Sequence, residues 1–126
     1  MNYITNIENY ITELNKSKDY TIYEALEYEL HLFEIEVIEK QSKFDIMASN
    51  MNREKAKYQV ANREKYNSDR TASSHFKVEN HERIHKFEII EAEVKLLTSK
   101  LKSYQRMADN YKSYFIRDLA IAKRTV

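Results

Sequence analysis

The sequence predicts an all-α protein: a long antiparallel helical hairpin with a short N-terminal helix, coiled-coil-like packing and assembly into a homo-oligomer. Three observations predict it. The 126 residues contain no Gly and no Pro, where average usage would supply roughly nine and six. Turns of types II, I′ and II′ rely on Gly or Asn, and helix ends commonly use Gly, so such a chain has few turns. Apolar residues recur at alternating steps of three and four over long stretches. Charged residues make up 33% of the chain and apolar ones 42%, a balance suited to long amphipathic helices. Ten Tyr and five Phe supply the burial that a disordered chain lacks. The length fits one domain.

The first helix is expected over about residues 2–16, carried by Ile4, Ile7, Ile11 and Leu14. The connector from Ser17 to Thr21 offers capping residues, with Thr21 and Glu24 spaced as a capping box. A second helix follows over about 22–66. Its apolar positions are Tyr23, Leu26, Leu30, Phe33, Val37, Phe44, Met47, Met51, Tyr58 and Ala61, interrupted by Lys40 and Glu54. The polar cluster from Asn67 to Ser74 reads as the loop, over 67–75. The third helix is expected over about 76–123. Phe87, Ile90, Val94, Leu97, Leu101, Tyr104, Ala108, Tyr111 and Phe115 alternate by three and four, a seam sustained for four heptads. Each long helix would measure roughly 65–70 Å at 1.5 Å per residue. Ile35, Ile38, Ile89, Leu96, Tyr114 and Ile116 widen the apolar stripe beyond one seam, which predicts a second buried face in a homo-oligomer.

The same composition excludes whole classes of function. Multi-stranded sheets, Gly-rich phosphate loops and nucleophile elbows need glycines that are absent. Without Cys there is no disulfide scaffold and no thiolate metal site. The opening MNYITNIENY has neither a basic nor an apolar signal-peptide region. No stretch free of Asp, Glu, Lys and Arg exceeds seven residues, too short to span a bilayer. The expectation is a soluble, cytoplasmic protein without a cofactor.

The net charge of +1 conceals a polarity. Residues 1–50 hold four Lys against ten acids, a net of −6, and residues 51–126 hold seventeen Lys and Arg against ten acids, a net of +7. All seven Arg lie in the second part. Met51 to Lys77 and Lys95 to Val126 are the basic blocks, with an acidic stretch from Val78 to Val94 between them. Such segregation suits a polyanion-binding surface opposite an acidic protein-docking end; solvated helix faces are the plainer reading.

His81-Glu82-Arg83-Ile84-His85 matches H-E-x-x-H, which on a helix sets two imidazoles one turn apart for Zn with a Glu as base. The context is missing: no His follows His85, and Glu88, Glu91 and Glu93 share its helix. No other cluster has the convergence a catalytic pocket needs. The expectation is therefore no enzyme and no metal, with two exposed histidines on an acidic turn. The run NREKAKYQVANREKYNSDR, from Asn52 to Arg70, carries Asn-Arg-Glu-Lys twice, ten residues apart. Arg53, Lys55, Lys57, Arg63, Lys65 and Arg70 supply charge for phosphates, and Tyr58 and Tyr66 are interleaved with them. Cations neutralise the backbone and aromatic faces stack unpaired bases, so Arg53, Lys55, Lys57, Tyr58, Arg63, Lys65 and Arg70 form the candidate DNA-binding set. The alternative places Tyr58 in the seam, with Glu54 and Glu64 pairing locally.

The chain resembles the UvsY recombination mediators of T-even-type phages. The likeness covers most of the length but is diffuse. It rests on the short first helix, a second helix starting near Tyr20-Thr21-Ile22-Tyr23-Glu24-Ala25, a basic segment before a polar break, and a long final helix. The family's Lys-Ala-Arg-Leu run is similar to Lys55-Ala56-Lys57-Tyr58 here, with Lys for Arg and Tyr for Leu; Ala61-Asn62-Arg63 is a second placement. Arg117-Asp118-Leu119-Ala120-Ile121-Ala122-Lys123 is similar to the family's closing Arg-Gly-Phe-Ala-Ile-Lys, without its Gly. The resemblance implies that Lys55 and Lys57 contact single-stranded DNA, weakened by the loss of a guanidinium that stacks and chelates phosphate. It also implies a ring-like homo-oligomer that helps a RecA-like recombinase displace a single-strand-binding protein. A different class fits the composition as well: a coiled-coil adaptor or inhibitor, encoded by a phage or mobile element, that engages a protein and no nucleic acid. The two separate on whether the Arg53–Arg70 stripe is exposed or paired with acids.

Overall fold

The computed structural model describes residues 2–125, and side chains up to residue 120. Among the described residues there are four helices and no strand: α1 Tyr3–Lys16, α2 Tyr20–Ala61, α3 Asp69–Glu79 and α4 His81–Thr125. The all-α class and the pairing of α2 with α4 match the expectation. No helix is long and apolar enough to cross a membrane among the described residues.

The connections differ in detail. The side chain of Asp19, not Thr21, caps α2, its Oδ1 accepting from the Thr21 amide at 2.9 Å. Asp at this position satisfies an orphan donor of the first turn. The second helix stops at Ala61 rather than Tyr66. Asn62 ends it by donating both its backbone amide, at 3.1 Å, and its side-chain amide, at 2.8 Å, to the Tyr58 carbonyl. The expected loop over 67–75 is instead a turn over 62–68 followed by α3. Ser68 caps α3, its Oγ accepting from the Thr71 amide at 3.2 Å, and Asp69 in the first turn favours the positive end of the helix dipole. Asn80 then separates α3 from α4 at φ −110° and ψ 21°. Its side-chain amide donates to the Phe76 carbonyl at 2.9 Å, and its own carbonyl accepts from the Ile84 amide. Both breaks are thus made by Asn folding back four residues, with no positive φ among the described residues.

The chain packs as two compact units, Met1–Ile38 with Leu97–Val126, and Glu39–Leu96. In the first, α1 supplies Ile7 and Leu14, α2 supplies Tyr23, Leu26, Leu30, Phe33 and Val37, and α4 supplies Leu101, Tyr104, Ala108 and Phe115 to one core. Phe33 meets Tyr104 and Tyr23 meets Phe115, so α2 and α4 run antiparallel here. Tyr104 donates to Glu8 at 2.6 Å and Tyr111 donates to Asn15, which sets α1 parallel to α4. Lys18 closes α1 by donating to the Leu14 carbonyl while its ammonium lies over Tyr111, 4.9 Å from the ring centre.

The second unit buries less. Ala72, Phe76 and Val94 are its buried apolar residues. Phe44 stacks on Phe87 at 4.9 Å between ring centres, and Lys40 pairs with Glu93 at 3.2 Å. Arg83 pairs with Glu54, so α2 and α4 are antiparallel here too. The α4 seam is as expected, every position from Phe87 to Phe115 being buried or half-buried. On α2 the line past Val37 runs through Gln41, Phe44, Ala48, Met51, Lys55, Tyr58 and Asn62, all half-buried. Met47 and Ala61, expected on it, are exposed, because the three-four alternation continues through polar side chains that apolar spacing skips.

Candidate nucleic-acid interface

All seven candidate residues lie in the Glu39–Leu96 unit, on three kinds of backbone. Arg53, Lys55, Lys57 and Tyr58 are in the last turns of α2, Arg63 and Lys65 are in the turn, and Arg70 is in the first turn of α3. The two Asn-Arg-Glu-Lys copies therefore differ in conformation. The first is helical, and the second begins at the Asn that ends the helix, so no single helical stripe runs from Arg53 to Lys65.

On α2, Arg53 and Lys57 are four apart and share a face; both are exposed. Lys55 points the other way, onto the half-buried line beside Met51 and Tyr58. Arg63, Lys65 and Arg70 are exposed. Among the described residues none of these six cations is in an ion pair. The acid nearest them on α2, Glu54, is held by Arg83 of α4 instead.

Tyr58 is packed rather than free. Its ring lies edge-on to Phe76 at 5.5 Å and stacks on Tyr66 at 6.3 Å. Its hydroxyl donates to Glu79 Oε1 at 3.1 Å and so accepts from the Tyr66 hydroxyl at 3.3 Å. The bond to Tyr66, burial and the Glu79 carboxylate together hold the Tyr58 hydroxyl above the usual phenol range. Tyr66 in turn stacks on His75, 4.4 Å between centres and 13° from parallel, and Lys65 sits 5.5 Å from the Tyr66 ring centre. His75 is exposed. Sequence reading does not place His75 in the DNA-binding set, since its partner lies nine residues away across a turn and a helix start. The available signal is the recurrence of aromatic rings at Tyr58, Tyr66, His75 and Phe76 on both sides of the polar break.

His81 and His85 stand exposed at the start of α4, with Glu82 exposed beside them and Arg83 committed to Glu54. Among the described residues no group of three or more His, Asp or Glu is placed to hold a metal ion. Of the closing run, the side chains of Ile121, Ala122 and Lys123 lie outside the described residues. No protein-family model, curated protein or solved structure matches the chain.

Proposed function

We propose that this chain is a non-enzymatic mediator that binds single-stranded DNA through the segment from Arg53 to Arg70. In this reading it assists a RecA-like recombinase in replacing single-strand-binding protein and acts as a homo-oligomer. The observation that carries the DNA-binding part is that, among the described residues, Arg53, Lys55, Lys57, Arg63, Lys65 and Arg70 are in no ion pair, all but the half-buried Lys55 being exposed, while Glu54 is drawn off by Arg83. Unpaired exposed cations retain their full attraction for phosphate, and repetition of a weak site around an oligomer raises it by effective concentration. The recombination role rests on the resemblance to the UvsY mediators.

Replacing Arg53, Lys55 and Lys57 together with Ala tests the reading. Each phosphate contact to a single strand contributes about 0.7 to the log–log salt slope, so the triple variant is expected to lose roughly 1–2 from it and to bind at least about tenfold more weakly. Unchanged affinity removes these residues from the site. A second reading, a protein-binding adaptor or inhibitor without nucleic acid, is favoured by Tyr28, Ile35 and Ile38, exposed on the acidic part of α2. Under that reading the triple variant and the native chain behave alike.

A further inference from the structure

We infer that the base-stacking surface of this site is the outer face of His75, backed by Tyr66, and that its ligand is an unpaired nucleobase of single-stranded DNA. The inference rests on the DNA-binding reading above and changes which ring does the stacking.

Three observations carry it. Tyr58, the aromatic residue that the sequence points to, has its ring engaged by Tyr66 and Phe76 and its hydroxyl by Tyr66 and Glu79. A base can stack on it only by displacing those contacts. His75 is exposed and has one face covered by Tyr66 in a near-parallel stack at 4.4 Å, which fixes the plane of the imidazole, and no other ring packs on it among the described residues. A pre-oriented flat ring in solvent is the element that protein sites use to hold splayed-out bases, His among them. The third observation is charge beside the stack. Lys65 lies against the Tyr66 ring, and Arg63 and Arg70 flank it in the chain, exposed and in no ion pair among the described residues. Glu64 and Asp69 share this segment, but Asp69 sits in the first turn of α3, where the helix end offsets its charge. The arrangement joins a stacking plane to phosphate-neutralising cations, the two parts that sequence-tolerant single-strand binding needs. Duplex DNA, whose bases are already stacked, gains nothing from it.

The test uses the full chain with two fluorescent probes of equal length, oligodeoxythymidylate and an abasic deoxyribose-phosphate strand. The native protein is expected to bind oligodeoxythymidylate roughly fivefold or more tightly than the abasic strand. His75→Ala should bring the two affinities together with the salt slope unchanged, since no cation is lost, and His75→Phe should keep the preference. The exposed position makes either variant compatible with folding, which far-ultraviolet circular dichroism checks. A preference retained in His75→Ala overturns the assignment of the ring. Equal binding of both probes by the native protein overturns base stacking while leaving phosphate binding standing. Failure of the native protein to bind either probe overturns the DNA-binding reading itself.

Discussion

Tyr104 is 7% exposed, and its hydroxyl donates to the Glu8 carboxylate of α1. Burial and that hydrogen bond push its pKa up from 10.0 to about 12. The raised value means that the folded state favours the neutral phenol. Its contribution to stability is therefore complete below pH 10 and is lost as pH rises from 10 through about 12. Tyr104→Phe removes the bond and is expected to cost about 1 kcal/mol at neutral pH. The fall in stability between pH 10 and 12 should then be shallower in the variant, read by chemical denaturation at each pH. Curves of equal steepness would mean that Tyr104 ionises in the folded protein as it does in the unfolded chain. At this scale the sequence is least informative about direction. Lys55 looks like a member of a surface set by type and spacing, yet it lies on the half-buried line of α2, beside Tyr58, whose spacing fits both the surface set and the seam.

Among the elements, α3 is the one that composition hides. Asn67 to Ser74 is polar throughout apart from Ala72, and polar clusters between periodic segments usually mark loops. Here Ser68 and Asp69 are instead a helix start, and Ala72 and Phe76, four apart, are the two residues α3 buries. Ser68→Ala removes the Oγ that accepts from the Thr71 amide and is expected to lower stability by about 1 kcal/mol. A thermal melt unchanged from the native protein would mean that the α3 start is held by its packing alone. The rest of the helical plan was legible because it rests on periodicity. Every α4 seam position from Phe87 to Phe115 is buried or half-buried, since apolar and aromatic residues hold that alternation without interruption. On α2 past Val37, Phe44, Met51 and Tyr58 were legible as members of the line, whereas Gln41, Ala48, Lys55 and Asn62, which share it, were not. Helix ends were the least legible. Asn62 and Asn80 perform the stop that Gly usually marks, and Asn occurs just as well inside a helix, as Asn52 does in the first copy of the repeat.

For the whole molecule, the two units divide the work unevenly. The unit containing Met1–Ile38 and Leu97–Val126 holds the three-helix core, while the unit Glu39–Leu96 buries fewer side chains and carries the candidate interface. The candidate site was legible as a set of charges, since all six cations lie within eighteen residues of one another, but the stack of Tyr66 on His75 was not, because the turn over 62–68 brings the two together. The central claim is that these unpaired cations bind a single-stranded polyanion, and a salt series of the native protein on fluorescent single-stranded and duplex oligonucleotides tests it most directly. The account predicts tight single-strand binding at low salt, weaker duplex binding, and a log–log slope of roughly −2 to −4, as expected when three to six phosphates are neutralised. No binding at low salt would contradict it and leave the basic segment as a solvated helix flank.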